Sequence, residues 1–257
     1  MESHEVNILN NTIKYFKIGK GKPIIFLHSF EGILATHPIR ELAKSYEIYL
    51  PVIPGYADTP AIKEINSIEK LSDLFIEFIQ KIADQKVDLI GYSLGGYLAL
   101  WISAKKPDII DQLVLMSPLG LNVNNQKIHL EKENFEKLIY KYPESYNLLA
   151  GDKSNFDQNK IDIYEYDKLD KKLLDKLPEI ENLTLILLGN DDLIVPSISA
   201  QMIKEKIQHS YLIYLYDSGH GMEIDQPERV ASVLSDYLMR GQAFIVNWGG
   251  RDVDEAP

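Results

Sequence analysis

The chain has 257 residues, 45% hydrophobic and 25% charged, the balance of an ordinary globular domain. It contains no cysteine, which excludes disulfides, zinc–thiolate sites, iron–sulfur clusters and a cysteine nucleophile. The formal net charge of -11 argues against a nucleic-acid partner, which needs basic surface to displace phosphate counterions, and against docking on an anionic membrane.

The start, Met1-Glu2-Ser3-His4-Glu5, is polar and acidic, with no basic segment leading into an apolar one. No apolar run approaches the roughly 18 residues that cross a bilayer. A cytoplasmic location is therefore expected. Val6–Leu9 and Thr12–Ile18 are β-prone runs with Asn10-Asn11 between them as a turn, and Gly19-Lys20-Gly21-Lys22 makes a second turn. Pro23–Leu27 is a continuous apolar run, the pattern of a strand buried on both faces. A short helix is expected near Pro38–Ser45 and a strand over Glu47–Ile53. Ser67 can cap the next helix, whose Ile68, Leu71, Phe75, Phe78 and Ile82 form one apolar stripe at helical spacing.

Strand and helix then alternate. Val87–Ile90 reads as a strand, Leu94–Ala104 as a helix and Leu113–Met116 as a strand. Thr184–Leu188 is another strand, Ser197–Gln208 a helix, Tyr211–Tyr216 a strand, and Pro227–Met239 the last long helix. Such alternation requires crossover connections. The expected fold class is α/β, a mostly parallel sheet with helices on both faces and the opening hairpin at one edge. Residues 121–178 break the pattern. They carry Phe135, Tyr140, Tyr142, Tyr146, Phe156, Tyr164 and Tyr166 and no convincing strand, and the stretch is too long for a bare loop. A small helical cap insertion is expected there, its aromatics mostly forming its own core. The core would then comprise 1–120 and 179–240, followed by a tail, 241–257, in which Ala243–Trp248 reads as a stray strand.

Chemistry concentrates at three strand ends. Gly91-Tyr92-Ser93-Leu94-Gly95-Gly96 lies between a strand and a helix. A serine on so sharp a turn needs very small neighbours two residues away, which Gly91 and Gly95 supply, and the helix that follows adds positive potential at its N-terminus. A serine hydroxyl needs a base. Of the six histidines, His220 follows a strand, where α/β sheets place their chemistry, whereas His4, His37, His129 and His209 lie in polar or terminal segments. The base needs a carboxylate, and either Asp191 or Asp192, in Leu188-Gly189-Asn190-Asp191-Asp192-Leu193-Ile194-Val195-Pro196, could serve. No dinucleotide fingerprint, phosphate loop or H-E-x-x-H zinc motif is present.

These motifs, with Phe26-Leu27-His28-Ser29-Phe30 and Ser218-Gly219-His220 before Asp225-Gln226-Pro227-Glu228, resemble the α/β-hydrolase superfamily up to about residue 240. The resemblance implies the α/β-hydrolase fold and a serine hydrolase of the esterase-like branch. It selects Asp192 as the acid, since the family's acid stands three positions after the glycine and before an apolar-Pro pair. It assigns the catalytic triad to Ser93, Asp192 and His220, and the oxyanion hole to the backbone N–H groups of Phe30 and Leu94, with His28 structural. Ser29 departs from the family, which usually has glycine there; either the loop takes another conformation or the Ser29 hydroxyl participates. The implied reaction is acyl transfer to water on a small-molecule acyl substrate, with no metal or cofactor. A carboxylic ester is the first expectation. An acyltransferase, a thioesterase, a C–C bond hydrolase or a non-catalytic ligand receptor are the alternatives, and oligomeric state is open.

Overall fold

The eight strands form one sheet in the spatial order β1-β2-β4-β3-β5-β6-β7-β8. The description rests on a computed structural model of residues 1–56, 59–123, 135–145, 164 and 166–246. β1 (Glu2–Ile8) and β2 (Asn11–Gly19) make the antiparallel edge hairpin, and β2 also runs antiparallel to β4 (Tyr46–Pro51). β3 (Lys22–Leu27), β4, β5 (Val87–Tyr92), β6 (Ile110–Met116), β7 (Leu183–Gly189) and β8 (Ser210–Leu215) are mutually parallel. The first turn sits one residue earlier than expected. Leu9 and Asn10 both have positive φ, 47° and 64°, so they form the turn and Asn11 already pairs with Ile8.

Two hydrophobic clusters, one on each face, follow from the two-sided apolar strands. One joins the sheet to α2 (Ile68–Ile82), α3 (Leu94–Lys105) and α6 (Ser197–Lys206). The other joins it to α1 (His37–Leu42) and α8 (Pro227–Arg240). Ser67 caps α2 by accepting the Lys70 N–H at 3.2 Å. Between β6 and β7 lie α4 (Phe135–Ile139) and α5 (Lys171–Lys176), and α7 (Met222–Asp225) precedes α8. No helix among the described residues is long and apolar enough to cross a membrane.

The segment after β6 leaves and rejoins the body at one place. Leu121 bridges to Leu169, Gly120 N–H donates to Tyr166 O at 3.1 Å, and Asp170 N–H returns to Gly120 O at 2.8 Å. The Asp170 carboxylate then caps α5 through the Leu173 N–H and accepts from the Tyr97 hydroxyl (2.7 Å) and the Trp101 indole N–H (3.0 Å) of α3. Tyr140, Tyr164 and Tyr166 are buried in the cluster they share with the sheet. Tyr146, Phe156 and the Phe135 side chain lie outside the described residues, as does His129.

The stray strand expected at 243–248 is a correction: Ala243–Val246 is a short helix, α9. Gly241, at φ 51°, ends α8, and the chain turns so that the Phe244 ring packs edge-on to Tyr237 at 5.5 Å. Burying that ring outweighs the β-propensity of Phe-Ile-Val. Residues 247 and 248 lie outside the described residues.

Candidate active site

β5 ends at Tyr92 and α3 begins at Leu94, so the whole change of direction falls on Ser93. Its backbone has φ 55° and ψ −111°, a conformation that costs a side-chain-bearing residue about 1–3 kcal/mol. The surroundings hold it there. Its N–H donates to Met116 O at 2.8 Å, and its carbonyl accepts from the N–H groups of Tyr97 and Leu119, both at 3.1 Å. The flanking glycines are required by close approach. A Cβ on Gly91 would lie 2.4 Å from Gly95 O, and one on Gly95 would lie 2.1 Å from Leu27 O.

The other two residues come from neighbouring strand ends. His220 Nε2 lies 2.8 Å from Ser93 Oγ, and His220 Nδ1 lies 3.0 Å from Asp192 Oδ2 and 3.2 Å from Oδ1. Since Nδ1 faces a carboxylate it carries the ring proton, which leaves Nε2 to accept the Ser93 hydroxyl proton. Asp192 is itself fixed in place. Oδ1 accepts the N–H groups of Ile194 (2.8 Å) and Val195 (2.9 Å), and Oδ2 accepts the Ser117 hydroxyl (2.7 Å). Asp191 turns the opposite way and pairs with Lys141 at 2.7 Å. Of the two aspartates, the structure brings only Asp192 to His220. The imidazole stacks between Phe30, at 5.6 Å and 5°, and Tyr92, at 5.9 Å and 28°. Ser93 and His220 are both 0% exposed.

The loop after β3 answers the Ser29 question. Ser29 is absent from the residues with positive φ, and Gly32, at φ 88°, takes the unusual conformation instead. The turn is closed by Gly32 N–H to Ser29 O at 3.1 Å, and the Ser29 hydroxyl accepts the Glu31 N–H at 3.2 Å. The loop thus takes another conformation, in which that hydroxyl stays within its own turn. His28 is a structural residue here. Its Nδ1–H donates to Ser29 O at 2.6 Å and its Nε2 accepts the Ile53 N–H at 3.0 Å, while burial pushes its pKa down to about 4. Phe30 is brought to His220. Leu94 opens α3, where an N–H has no carbonyl in a preceding turn to bond. Hydroxyl, imidazole and carboxylate in hydrogen-bonded series can generate a nucleophile, with the helix start aimed at the charge it creates.

The family model described as the alpha/beta hydrolase fold matches residues 22–161. The chain belongs to the α/β-hydrolase family. This α/β hydrolase is 21% identical to the (E)-2-((N-methylformamido)methylene)succinate hydrolase of Acinetobacter baylyi over 89% of this chain and 95% of that one. It is 23% identical to a 2-hydroxymuconate semialdehyde hydrolase of Pseudomonas sp. over 89% and 91% of the respective chains. Among solved structures, an esterase from Exiguobacterium antarcticum superposes with a TM-score of 0.77 at 21% identity, over 93% of this chain and 100% of that one.

Three further residues of this α/β hydrolase shape the site, though the sequence reading gave none of them a role at the catalytic centre. Asp225 is nearly buried, and its Oδ2 accepts the N–H groups of Gly219 (2.8 Å) and Lys141 (3.0 Å), while Oδ1 accepts that of Tyr142 (3.0 Å). One carboxylate thereby joins the His220 loop to the end of α4. The same junction carries Gly221 N–H to Ile139 O at 2.7 Å. Asp225 lies in the Asp225-Gln226-Pro227 segment, whose place just behind His220 was the available signal. Asp225→Ala would strip the acceptor from three backbone donors. The expected result is a stability loss of about 3 kcal/mol or more, with kcat reduced more than KM is changed, checked by thermal denaturation and ester kinetics. Glu31 and Tyr140 are the other two, and the Tyr140 hydroxyl donates to Glu31 Oε1.

Proposed function

We propose that this α/β hydrolase is a serine hydrolase that cleaves a carboxylic ester through an acyl-enzyme on Ser93. The observation that carries the reading is the unbroken series Asp192 to His220 to Ser93, its distances all within hydrogen-bond range. In the first half-reaction Ser93 Oγ attacks the substrate carbonyl as its proton passes to His220 Nε2. The tetrahedral oxyanion is held by the N–H groups of Leu94 and Phe30. The imidazolium, stabilised by Asp192, gives its proton to the departing alcohol, and the ester bond breaks. Water then repeats the sequence on the acyl-enzyme, with His220 again taking and returning the proton, and the acid is released. These residues supply every proton transfer the reaction needs, so the reading calls on no metal or cofactor. Residues 121–178, of which 124–134, 146–163 and 165 lie outside the described residues, are assigned as the cap insertion on the body formed by 1–120 and 179–240. The partner is a small acyl compound met in the cytoplasm, without nucleic acid or membrane.

A second reading, hydrolysis of a C–C bond beside a ketone, draws support from the name of the Pseudomonas relative, a 2-hydroxymuconate semialdehyde hydrolase. It uses the same nucleophile with a carbanion as leaving group. The test is a panel of p-nitrophenyl esters, thioesters, anilides and a 2-hydroxy-6-oxodienoate, with Ser93→Ala protein as the blank. The expected result is a burst and steady turnover on short-chain esters at least tenfold above the other classes. Dominant dienoate cleavage would favour the second reading. Absence of turnover on every class would favour a ligand-binding protein.

A further inference from the structure

Glu31 is an unusual residue for its position. It lies one residue after Phe30, on the loop given the oxyanion role above, and it is 9% exposed. Its Oε2 accepts the Ser29 hydroxyl at 3.3 Å, its own N–H returns to that hydroxyl at 3.2 Å, and its Oε1 meets the hydroxyl of Tyr140. Tyr140 follows α4, and its ring lies so close to Gly221, next to His220, that a Cβ there would fall 2.2 Å from it. The side chain therefore spans from the oxyanion loop to the segment that also clamps the His220 loop.

We propose that Glu31 is a positioning residue, which by joining Ser29 to Tyr140 holds the oxyanion loop, and with it the Phe30 amide, in register with His220 and Ser93. The inference rests on the hydrolase reading of the same site.

The surroundings say in which form Glu31 does this. Burial raises its pKa to about 8, the Ser29 hydrogen bond lowers it in part, and the carboxylates Glu223 and Asp225 push it up further. Glu223, on α7, bonds the Thr36 hydroxyl at 3.0 Å, and burial brings its own pKa up to about 7. Asp225 faces backbone N–H groups. From β5, Tyr92 sends its hydroxyl to His220 O at 2.8 Å, and burial pushes its ionisation far up. His28, in the same loop, is held uncharged by burial. Lys141, next to Tyr140, is occupied by Asp191 and Asp217, with its pKa raised by those two hydrogen bonds. Among the described residues the charges acting on Glu31 are thus negative, and burial with these charges favours its neutral form below about pH 8. A neutral acid keeps acceptor capacity for the two hydroxyls that donate to it and adds one O–H donor of its own. Its folded pKa lies above the ordinary carboxylate value, so the neutral form persists until pH rises through about 8. Above that, a buried negative charge appears one residue from the amide that must hold an oxyanion, which opposes the transition state.

The experiment compares pH profiles of kcat/KM, and of fluorophosphonate labelling of Ser93, for wild type, Glu31→Gln, Glu31→Ala and Glu223→Gln. Glutamine reproduces the donor and acceptor of the neutral acid and cannot ionise. Wild type is expected to lose about tenfold in rate between pH 7 and pH 9.5, with the fall centred near 8. Glu31→Gln should abolish that fall. Glu31→Ala should be slower at every pH by about tenfold to a hundredfold, chiefly in kcat, as for partial loss of an oxyanion donor. Glu223→Gln removes one repelling carboxylate, so the fall should move to lower pH. A merely structural Glu31 would leave the shape of the profile the same in Glu31→Gln. An alkaline fall that persists in Glu31→Gln overturns the positioning role alone. A protein that neither turns over esters nor labels at any pH overturns the hydrolase reading, and the role with it.

Discussion

Ser93→Ala is expected to remove hydrolysis, with kcat falling on the order of a millionfold while the fold survives. The size follows from the way the three groups act as one unit: without the oxygen, His220 has no proton to take and Asp192 no imidazolium to stabilise. What remains is binding and the oxyanion donors. The fold survives because alanine, like serine, carries a Cβ. The backbone conformation at φ 55° is thus no worse than before, and among the described residues the lost hydroxyl hydrogen-bonds to His220. Melting within a few degrees of wild type, together with p-nitrophenyl acetate turnover at the level of the buffer blank, is the expected pair of measurements. A variant that keeps more than about one per cent of wild-type kcat would remove Ser93 from the chemistry.

Asp192→Asn is expected to lower kcat on the order of ten-thousandfold with little change in stability. The asparagine oxygen replaces Oδ1 as acceptor for the Ile194 and Val195 N–H groups. Its amide NH2 then takes the place of Oδ2 and points at His220 Nδ1 and the Ser117 hydroxyl. A donor facing Nδ1 forces the ring proton onto Nε2, where it confronts Ser93 Oγ and prevents proton abstraction. Asp191→Asn is the matching control. Among the described residues its carboxylate pairs with the partly exposed Lys141, an interaction worth about 1 kcal/mol or less, and activity should stay near wild type. Equal losses in the two variants would mean that the carboxylate acts through general charge and not through the ring proton.

Much of this was legible in the chain because each element carried a local signal. The elbow is named by Gly91 and Gly95 around Ser93, and close packing against Leu27 and Ala99 explains both glycines. The helical stripe of α2 and the two-sided strands β3 and β5 need only periodicity and run length. Between Asp191 and Asp192 the residues themselves did not decide, since two adjacent acids after one strand differ only in which way the turn aims them. The Ser29 loop was also beyond reach, because the positive φ moved to Gly32 and the hydroxyl was consumed by its neighbour's N–H. Nothing local in the sequence singles out Glu31. Burial of a charged side chain depends on what folds over it, here Tyr140 from more than a hundred residues downstream. Phe244 marks the opposite error, where propensity suggested a strand and tertiary packing on Tyr237 made a helix.

If Ser93, His220 and Asp192 form one nucleophilic unit, Ser93 is the residue a serine-reactive probe modifies. Intact-mass analysis after brief exposure to a fluorophosphonate, followed by peptide mapping, tests it most directly. A single adduct on Ser93 in wild type, absent in Ser93→Ala and at least a hundredfold slower to form in Asp192→Asn, is the expected result. An unmodified wild-type protein, or an adduct on any other residue, would contradict it.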